Sequence, residues 1–257
     1  MRIDVYLYDT GLAKSRSFAK TLIAEGFVTV NGAVITKPSY DVADSDEVLV
    51  TGTPYSYVSR GGLKLQGALD GFSIDVSGMT CVDIGASSGG FTDCLLKRGA
   101  KKVYCIDSGS DQLDPSLRSD ERVVNIENFN ARNLTADVLS EYCNIAVTDV
   151  SFISQTLIIP AAVNVLSDDG IFVSLIKPQF ECGREGLGKG GIVKSKKVLY
   201  DAVCKVIECA KNNGLGCMGL IPSPIEGGDG NREFLMYCKM GGATTVSENE
   251  IKEAVGL

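Results

Sequence analysis

Val82-Asp83-Ile84-Gly85-Ala86-Ser87-Ser88-Gly89-Gly90-Phe91 decides the fold class of this 257-residue chain. An apolar run, Thr80–Ile84, ends on a glycine-rich turn, and a helical run, Phe91–Lys97, follows at once. Glycines let the backbone turn sharply and approach a ligand closely, while the first turn of a helix offers free N–H groups. Outward from this stretch the pattern repeats as strand and helix in alternation. The spacing predicts strands at Thr80–Ile84, Lys102–Ile106, Val123–Ile126, Ile145–Thr148, Gly170–Ile176, Gly216–Ile221 and Phe234–Lys239. The clearest helix is Ser195–Lys211, where Val198, Leu199, Ala202, Val203, Val206, Ile207 and Ala210 form one apolar face. Such alternation predicts an α/β domain, a Rossmann-like sheet of seven mostly parallel strands with helices on both faces.

The same ten residues constrain the ligand. A dinucleotide site places glycine two residues after the first, but Ser87 stands there, and an acid, Asp83, precedes Gly85. A carboxylate is a poor neighbour for pyrophosphate and a good one for the cationic amino-acid end of S-adenosylmethionine. One strand later, Asp107 stands where a ribose hydroxyl of the adenosine would lie. A glycine loop alone could be only a tight turn; with Asp107 it reads as a cofactor site.

Other charged residues fall at the ends of strands, where open parallel sheets bind ligands. Asp149 ends the fourth strand, beside Val150-Ser151-Phe152, and Lys177 ends the fifth. Either alone could be a solvated charge or a helix cap. The stretch Gly227-Gly228-Asp229-Gly230-Asn231-Arg232-Glu233 could be a flexible hairpin, yet it delivers Glu233 to the start of an apolar strand. Ser59-Arg60-Gly61-Gly62-Leu63-Lys64 opens a helix whose Leu63, Leu65, Ala68 and Leu69 pack inward, and by that pattern Lys64 reads as a surface lysine.

Residues 1–50 read as two short helices and a small β segment. Phe18, Ala19, Leu22 and Ile23 recur at helical spacing behind Ser15 or Ser17 as a cap, and Phe27–Val30 meets an Asn31-Gly32 hairpin turn. A basic helix, Lys14–Lys20, would suit phosphate contacts, although a solvated helix face would look the same. Thr51-Gly52-Thr53-Pro54 marks a linker.

Composition narrows the function. The chain contains no histidine, which removes Ser-His-Asp and Cys-His catalysis and most catalytic metal sites. Nine scattered cysteines without a CxxC pair read as buried thiols of a reducing compartment. No apolar run reaches the roughly 18 residues a membrane span needs, and an acid follows close on Met1, so the chain reads as soluble and not exported. Net charge is −7, but residues 1–37 and 177–197 are locally basic, so bulk charge does not exclude nucleic acid.

The segments Tyr57–Leu65, Val82–Phe91, Asp149–Ser154, Lys177–Glu181 and Ser223–Phe234 together resemble the TlyA-type rRNA 2′-O-methyltransferases, also called the hemolysin A family. The larger domain is similar to FtsJ (RrmJ-like) ribose methyltransferases, and the first fifty-odd residues to the RNA-binding module of ribosomal protein S-four. The resemblance implies an S-four-like domain over 1–52, a linker over 53–59 and a methyltransferase domain over 60–245. It implies a catalytic tetrad of Lys64, Asp149, Lys177 and Glu233. It implies cofactor contacts from Asp83, Gly85, Ala86, Ser87, Gly89, Gly90, Phe91, Asp107, Asn128 and Asp149, with S-adenosylmethionine as cofactor. Members often carry a histidine after the Gly-Gly-Ile-Val stretch, where this chain has Leu199 nearby. The implied substrate is cytidine ribose in 16S or 23S rRNA, met as free RNA or within ribosomal subunits in the cytoplasm and away from membranes, with Arg2, Lys14, Arg16 and Lys20 on phosphates. A ribose 2′-OH must lose its proton as it attacks, which a lysine can accept only in its neutral form, and most of the rate would come from alignment. On this reading Asp149 orients Lys177, and Lys64 and Glu233 hold the ribose. Competing readings are a cytolysin and a non-catalytic RNA-binding assembly factor.

Overall fold

The structure is a computed structural model describing residues 1–53, 55–228 and 230–257. Pro54 of the linker and Asp229 of the glycine-rich stretch lie outside the described residues. The chain divides into two compact units, residues 1–56 and 57–257.

In the first unit, α1 (Ile3–Asp9) and α2 (Arg16–Ala24) accompany a sheet of β1 (Val28–Val30), β2 (Ala33–Val34) and β3 (Val48–Val50) in the order β2-β1-β3. The Ser15 hydroxyl accepts the Phe18 N–H, so α2 begins at Arg16 and Lys14 falls in the turn before it rather than on the helix. Asn31 and Gly32 both take positive φ, 50° and 79°, as a two-residue hairpin turn demands. Ile3, Leu7, Ala19, Leu22, Ile23 and Val28 form the small core.

The second unit holds α3 (Gly61–Gly71), β4 (Thr80–Ile84), α4 (Gly90–Lys97), β5 (Lys102–Ile106), α5 (Pro115–Arg118), β6 (Val123–Ile126), α6 (Ala136–Leu139) and β7 (Cys143–Thr148). It continues through α7 (Ile159–Val163), β8 (Leu166–Ile176), α8 (Pro178–Glu181), α9 (Lys196–Asn212), β9 (Leu215–Pro222), β10 (Phe234–Met240) and α10 (Glu248–Val255). Seven of these strands form one sheet ordered β6-β5-β4-β7-β8-β10-β9, parallel except where β10 runs against β8 and β9. Every residue of β4 is buried, the polar Thr80 and Asp83 included, because helices cover both faces of the sheet. Strand order reverses between β4 and β7, and a cleft opens beyond the carboxyl ends of strands at such a point. Antiparallel β10 reaches the same end from the opposite direction. Phe234 pairs with Ile176, so the residues just before β10 lie beside the residues just after β8. Beyond residue 245, α10 closes the unit. A reciprocal Ser247–Glu250 capping box starts it, and Ile251, Ala254 and Val255 are buried.

Candidate active site

The turn after β4 is built by local backbone demands. Gly85, Ser87 and Gly89 all take left-handed conformations, with φ of 86°, 48° and 90°. A Cβ on Gly85 would stand 2.8 Å from Val150 Cγ1, and one on Gly89 would strike Leu117, so neither position tolerates a side chain. Ser87 carries a side chain in this region at some conformational cost, and its N–H is held by Asp107 Oδ2 at 2.7 Å. Asp107 Oδ1 takes the Gly109 N–H at 2.8 Å, so this carboxylate braces two loops at once.

Asp83 lies beneath the turn, fully buried. Its Oδ2 accepts the Thr92 N–H at 2.9 Å and the Thr92 hydroxyl at 2.7 Å, while Oδ1 has no hydrogen-bond partner among the described residues. Burial pushes this carboxyl up to about 7; the negative charges of Asp149 and Asp107 add to the rise, and the Thr92 bonds oppose it. Asp83 lines a cavity of about 350 Å³ together with Gly85, Ala86, Ser87, Gly90 and Phe91. A second cavity of about 410 Å³ shares Gly85, Ser87, Asp149 and Ser151 with it and continues past Ile106, Asp107, Phe129, Val150 and Ile158. The pair fits S-adenosylmethionine: an unpartnered buried carboxylate oxygen awaits an ammonium, and the apolar second chamber suits an adenine ring.

Two expected cofactor contacts stand differently. Gly89 lines neither cavity and serves the turn and its packing on Leu113 and Leu117. Asn128 lines neither as well: it is exposed at a φ of 57°, and its N–H bonds Gly109 O. That left-handed turn gives the cavity to the next two residues, Phe129 and Asn130.

The four residues that the resemblance implies as a tetrad, Lys64, Asp149, Lys177 and Glu233, all line the first cavity. Lys177 Nζ stands 2.7 Å from Asp149 Oδ1 and donates to the Ser151 hydroxyl at 2.7 Å. Lys64 Nζ stands 2.5 Å from Glu233 Oε2, with both side chains almost completely buried. Each lysine therefore faces a carboxylate of its own. Lys64 is not the surface lysine that helical spacing suggests; it is only 4% exposed, and Leu63 takes the half-buried position instead. The cause lies in the glycines. A Cβ on Gly90 would come within 2.2 Å of Ser59 Oγ and 3.0 Å of the Gly62 N. The first turns of α3 and α4 thus approach almost backbone to backbone, which carries Lys64 into the cleft.

Several lining residues lie in stretches the sequence singles out but were given no role there. Ser59, Arg60 and Ser151 are among them. Phe152 is 91% exposed, adopts a φ of 62°, lines the second cavity and has its ring 5.1 Å from that of Phe180. A large exposed aromatic in a strained conformation beside a cleft is unusual on folding grounds alone.

In the first unit, Arg2 and Arg16 both reach the buried Asp4, at 2.9 and 3.5 Å. Burial opposes ionisation of Asp4, but the two guanidinium groups prevail and hold its carboxyl below the ordinary value. Both arginine side chains stay about half exposed, Lys14 Nζ lies 5.1 Å from the Phe18 ring centroid, and Lys20 is exposed on α2.

Fold and site together define a Rossmann-like methyltransferase that takes S-adenosylmethionine as methyl donor. The chain belongs to the FtsJ-like methyltransferase family, which residues 57–240 match, and residues 1–48 match the S4 domain. It is 44% identical over 242 residues to hemolysin A of Brachyspira hyodysenteriae, covering 92% of this chain and 99% of that one. It is 40% identical over 255 residues to the 16S/23S rRNA (cytidine-2′-O)-methyltransferase TlyA of Mycobacterium tuberculosis, covering 99% and 95% of the two chains. Among solved structures, a hemolysin-designated protein of Streptococcus thermophilus superposes with a TM-score of 0.81 at 42% identity, covering all of this chain and 94% of the other.

Proposed function

We propose that this chain methylates the 2′-hydroxyl of a ribose in ribosomal RNA, with cytidine of 16S or 23S rRNA as target, in the cytoplasm, on RNA or assembled subunits docked through the S4 domain. One observation carries the reading. Two lysine–carboxylate pairs line the same cavity as the unpartnered Asp83 Oδ1, so a sugar hydroxyl admitted there meets donors and acceptors beside the methyl donor. The relatives named for cytidine-2′-O methylation support this choice of nucleoside.

The sulfonium supplies an already reactive methyl group; the residues supply alignment. Asp83 holds the ammonium end, the Gly85–Gly90 turn admits the backbone of the ligand, and Asp107 takes the ribose of the adenosine. Lys177, aimed by Asp149 and Ser151, engages the target 2′-oxygen. As that oxygen bonds to the methyl carbon and the carbon–sulfur bond breaks to leave S-adenosylhomocysteine, the hydroxyl proton passes to Lys177 in its neutral amine form. Lys64 and Glu233 fix the sugar from the opposite side. Phe152 offers an aromatic face to a base turned out of its stack. The S4 domain contributes phosphate contacts through Arg2, Lys14, Arg16 and Lys20, which position the RNA without reading its sequence. Among the described residues no helix is long and apolar enough to cross a membrane.

Transfer of labelled methyl groups from S-adenosylmethionine to ribosomal RNA tests the proposal. Wild-type protein should label the RNA. Lys177→Ala should lose at least about a hundredfold in rate with cofactor affinity within a few-fold. A Lys177→Ala protein with near-normal turnover removes that role.

A further inference from the structure

The run Asn231-Arg232-Glu233 leads into β10, and its three side chains bond three different parts of the second unit. Glu233 pairs with Lys64 of α3. Asn231, buried, accepts the Val193 N–H on Oδ1 at 2.9 Å and donates from Nδ2 to Gly191 O at 3.1 Å. Arg232 reaches the C-terminal end of α10: Nη1 donates to Val255 O at 2.8 Å and Nη2 to Ala254 O at 2.9 Å. Its guanidinium also lies 5.6 Å from the centroid of the Phe234 ring.

A helix leaves its last four carbonyls without an internal partner. In α10 these belong to Lys252, Glu253, Ala254 and Val255. The chain satisfies the first two itself, since Gly256, at a φ of 78°, donates to Glu253 O and Leu257 donates to Lys252 O. The other two accept from Arg232. A cation at this end also suits the helix dipole. No residue of α10 lines either cavity, yet the helix grips the residue next to Glu233 at two points.

We propose that Arg232 is a positioning residue: by clamping α10 to the chain entering β10, it sets Glu233, and through it Lys64, for methyl transfer. The inference rests on the reading that Glu233 belongs to the active site.

The full-length protein, S-adenosylmethionine and unmethylated ribosomal RNA suffice for the test. Arg232→Met keeps the bulk of the stem and removes the donors. It should lower kcat by about tenfold while KM for S-adenosylmethionine stays within about twofold, and Arg232→Lys, which retains a charged donor, should recover part of the loss. In a Glu233→Gln background the same Arg232→Met change should cost less than about twofold, because the group it positions is gone. Thermal unfolding of each variant separates this from a purely structural clamp, and Arg232→Lys remains informative if Arg232→Met folds poorly. Two results overturn the inference: Arg232→Met with kcat close to wild type, or an equal fold-loss in both backgrounds. Wild-type kcat in Glu233→Gln alone would instead strike the underlying reading, and the inference with it.

Discussion

If Asp83 takes the ammonium of S-adenosylmethionine, as proposed, cofactor binding depends on pH in a direction fixed by the burial of that carboxyl. With no cation beside it, burial above all, and the neighbouring carboxylates, push its carboxyl up to about 7 against the two bonds from Thr92. An ammonium bonded to the orphan Oδ1 favours the ionised form, so the bound value lies lower than the free one. Affinity is then full above the free value and falls as pH drops through it. With a free value of about 7, roughly three-quarters of the sites are ionised at about pH 7.5 and about 3% at about pH 5.5. The dissociation constant should therefore rise by about 25-fold across that window. The stability linkage runs the other way for the empty protein. Its folded value exceeds the ordinary 3.8, so it holds the proton that the unfolded chain releases, and stability declines as pH rises between the two values. Isothermal titration calorimetry of S-adenosylmethionine checks both the constant and, with two buffers of different protonation heat, the release of close to one proton per site near about pH 6. Asp83→Asn leaves an acceptor for Thr92 and should bind more weakly, with a flat profile. A wild-type dissociation constant unchanged within twofold from about pH 5.5 to about 7.5 refutes the assignment of the ammonium to Asp83.

Three further outcomes follow from named contacts. Lys64→Met strands Glu233 as an uncompensated buried charge and should destabilise the protein by about 3 kcal/mol, read as a fall in the denaturant midpoint; an unchanged midpoint would falsify the tight Lys64–Glu233 pair. Phe152→Ala should leave stability within about 0.5 kcal/mol, since the ring is exposed, while raising KM for RNA or lowering kcat several-fold; unaltered RNA kinetics would show that no base stacks there. RNA affinity of the whole chain should fall by about 50-fold between about 50 and 200 mM salt if Arg2, Lys14, Arg16 and Lys20 each neutralise a phosphate, and Arg16→Glu should flatten that slope. Salt-insensitive binding excludes those contacts.

The first three strands of the large sheet in chain order were the most legible part of the sequence. The strands β4, β5 and β6 begin and end where the apolar runs do, because they are flanked by turns rich in glycine and acids. The strands β7 and β8 start earlier than the runs suggest, since exposed Asn144 and the polar Ser167-Asp168-Asp169 interrupt the apolar pattern without ending the pairing. Strand ends also exposed Asp149 and Lys177 as a pair, because adjacency of parallel strands follows from alternation. Lys64 was different. Helical spacing shows which side of α3 packs on its neighbours, but the burial of Lys64 depends on Glu233, 169 residues away. Phe152 carries no periodic signal at all, for its meaning lies in exposure and a left-handed backbone. After β6 the chain turns left-handed at Asn128, so Phe129 and Asn130 line the cavity where the sequence pointed to Asn128, and α10 was passed over although Ser247 and Glu250 announce its first turn.

Which atom of the nucleotide receives the methyl group is the most direct question. Ribosomal RNA incubated with the protein and methyl-labelled S-adenosylmethionine can be digested to nucleosides and resolved by mass spectrometry. The label should appear in 2′-O-methylcytidine and vanish with Lys177→Ala. Label in a base-methylated nucleoside, or incorporation that survives loss of Lys177, would contradict a site in which Lys177 and Asp149 direct a ribose hydroxyl onto the methyl donor.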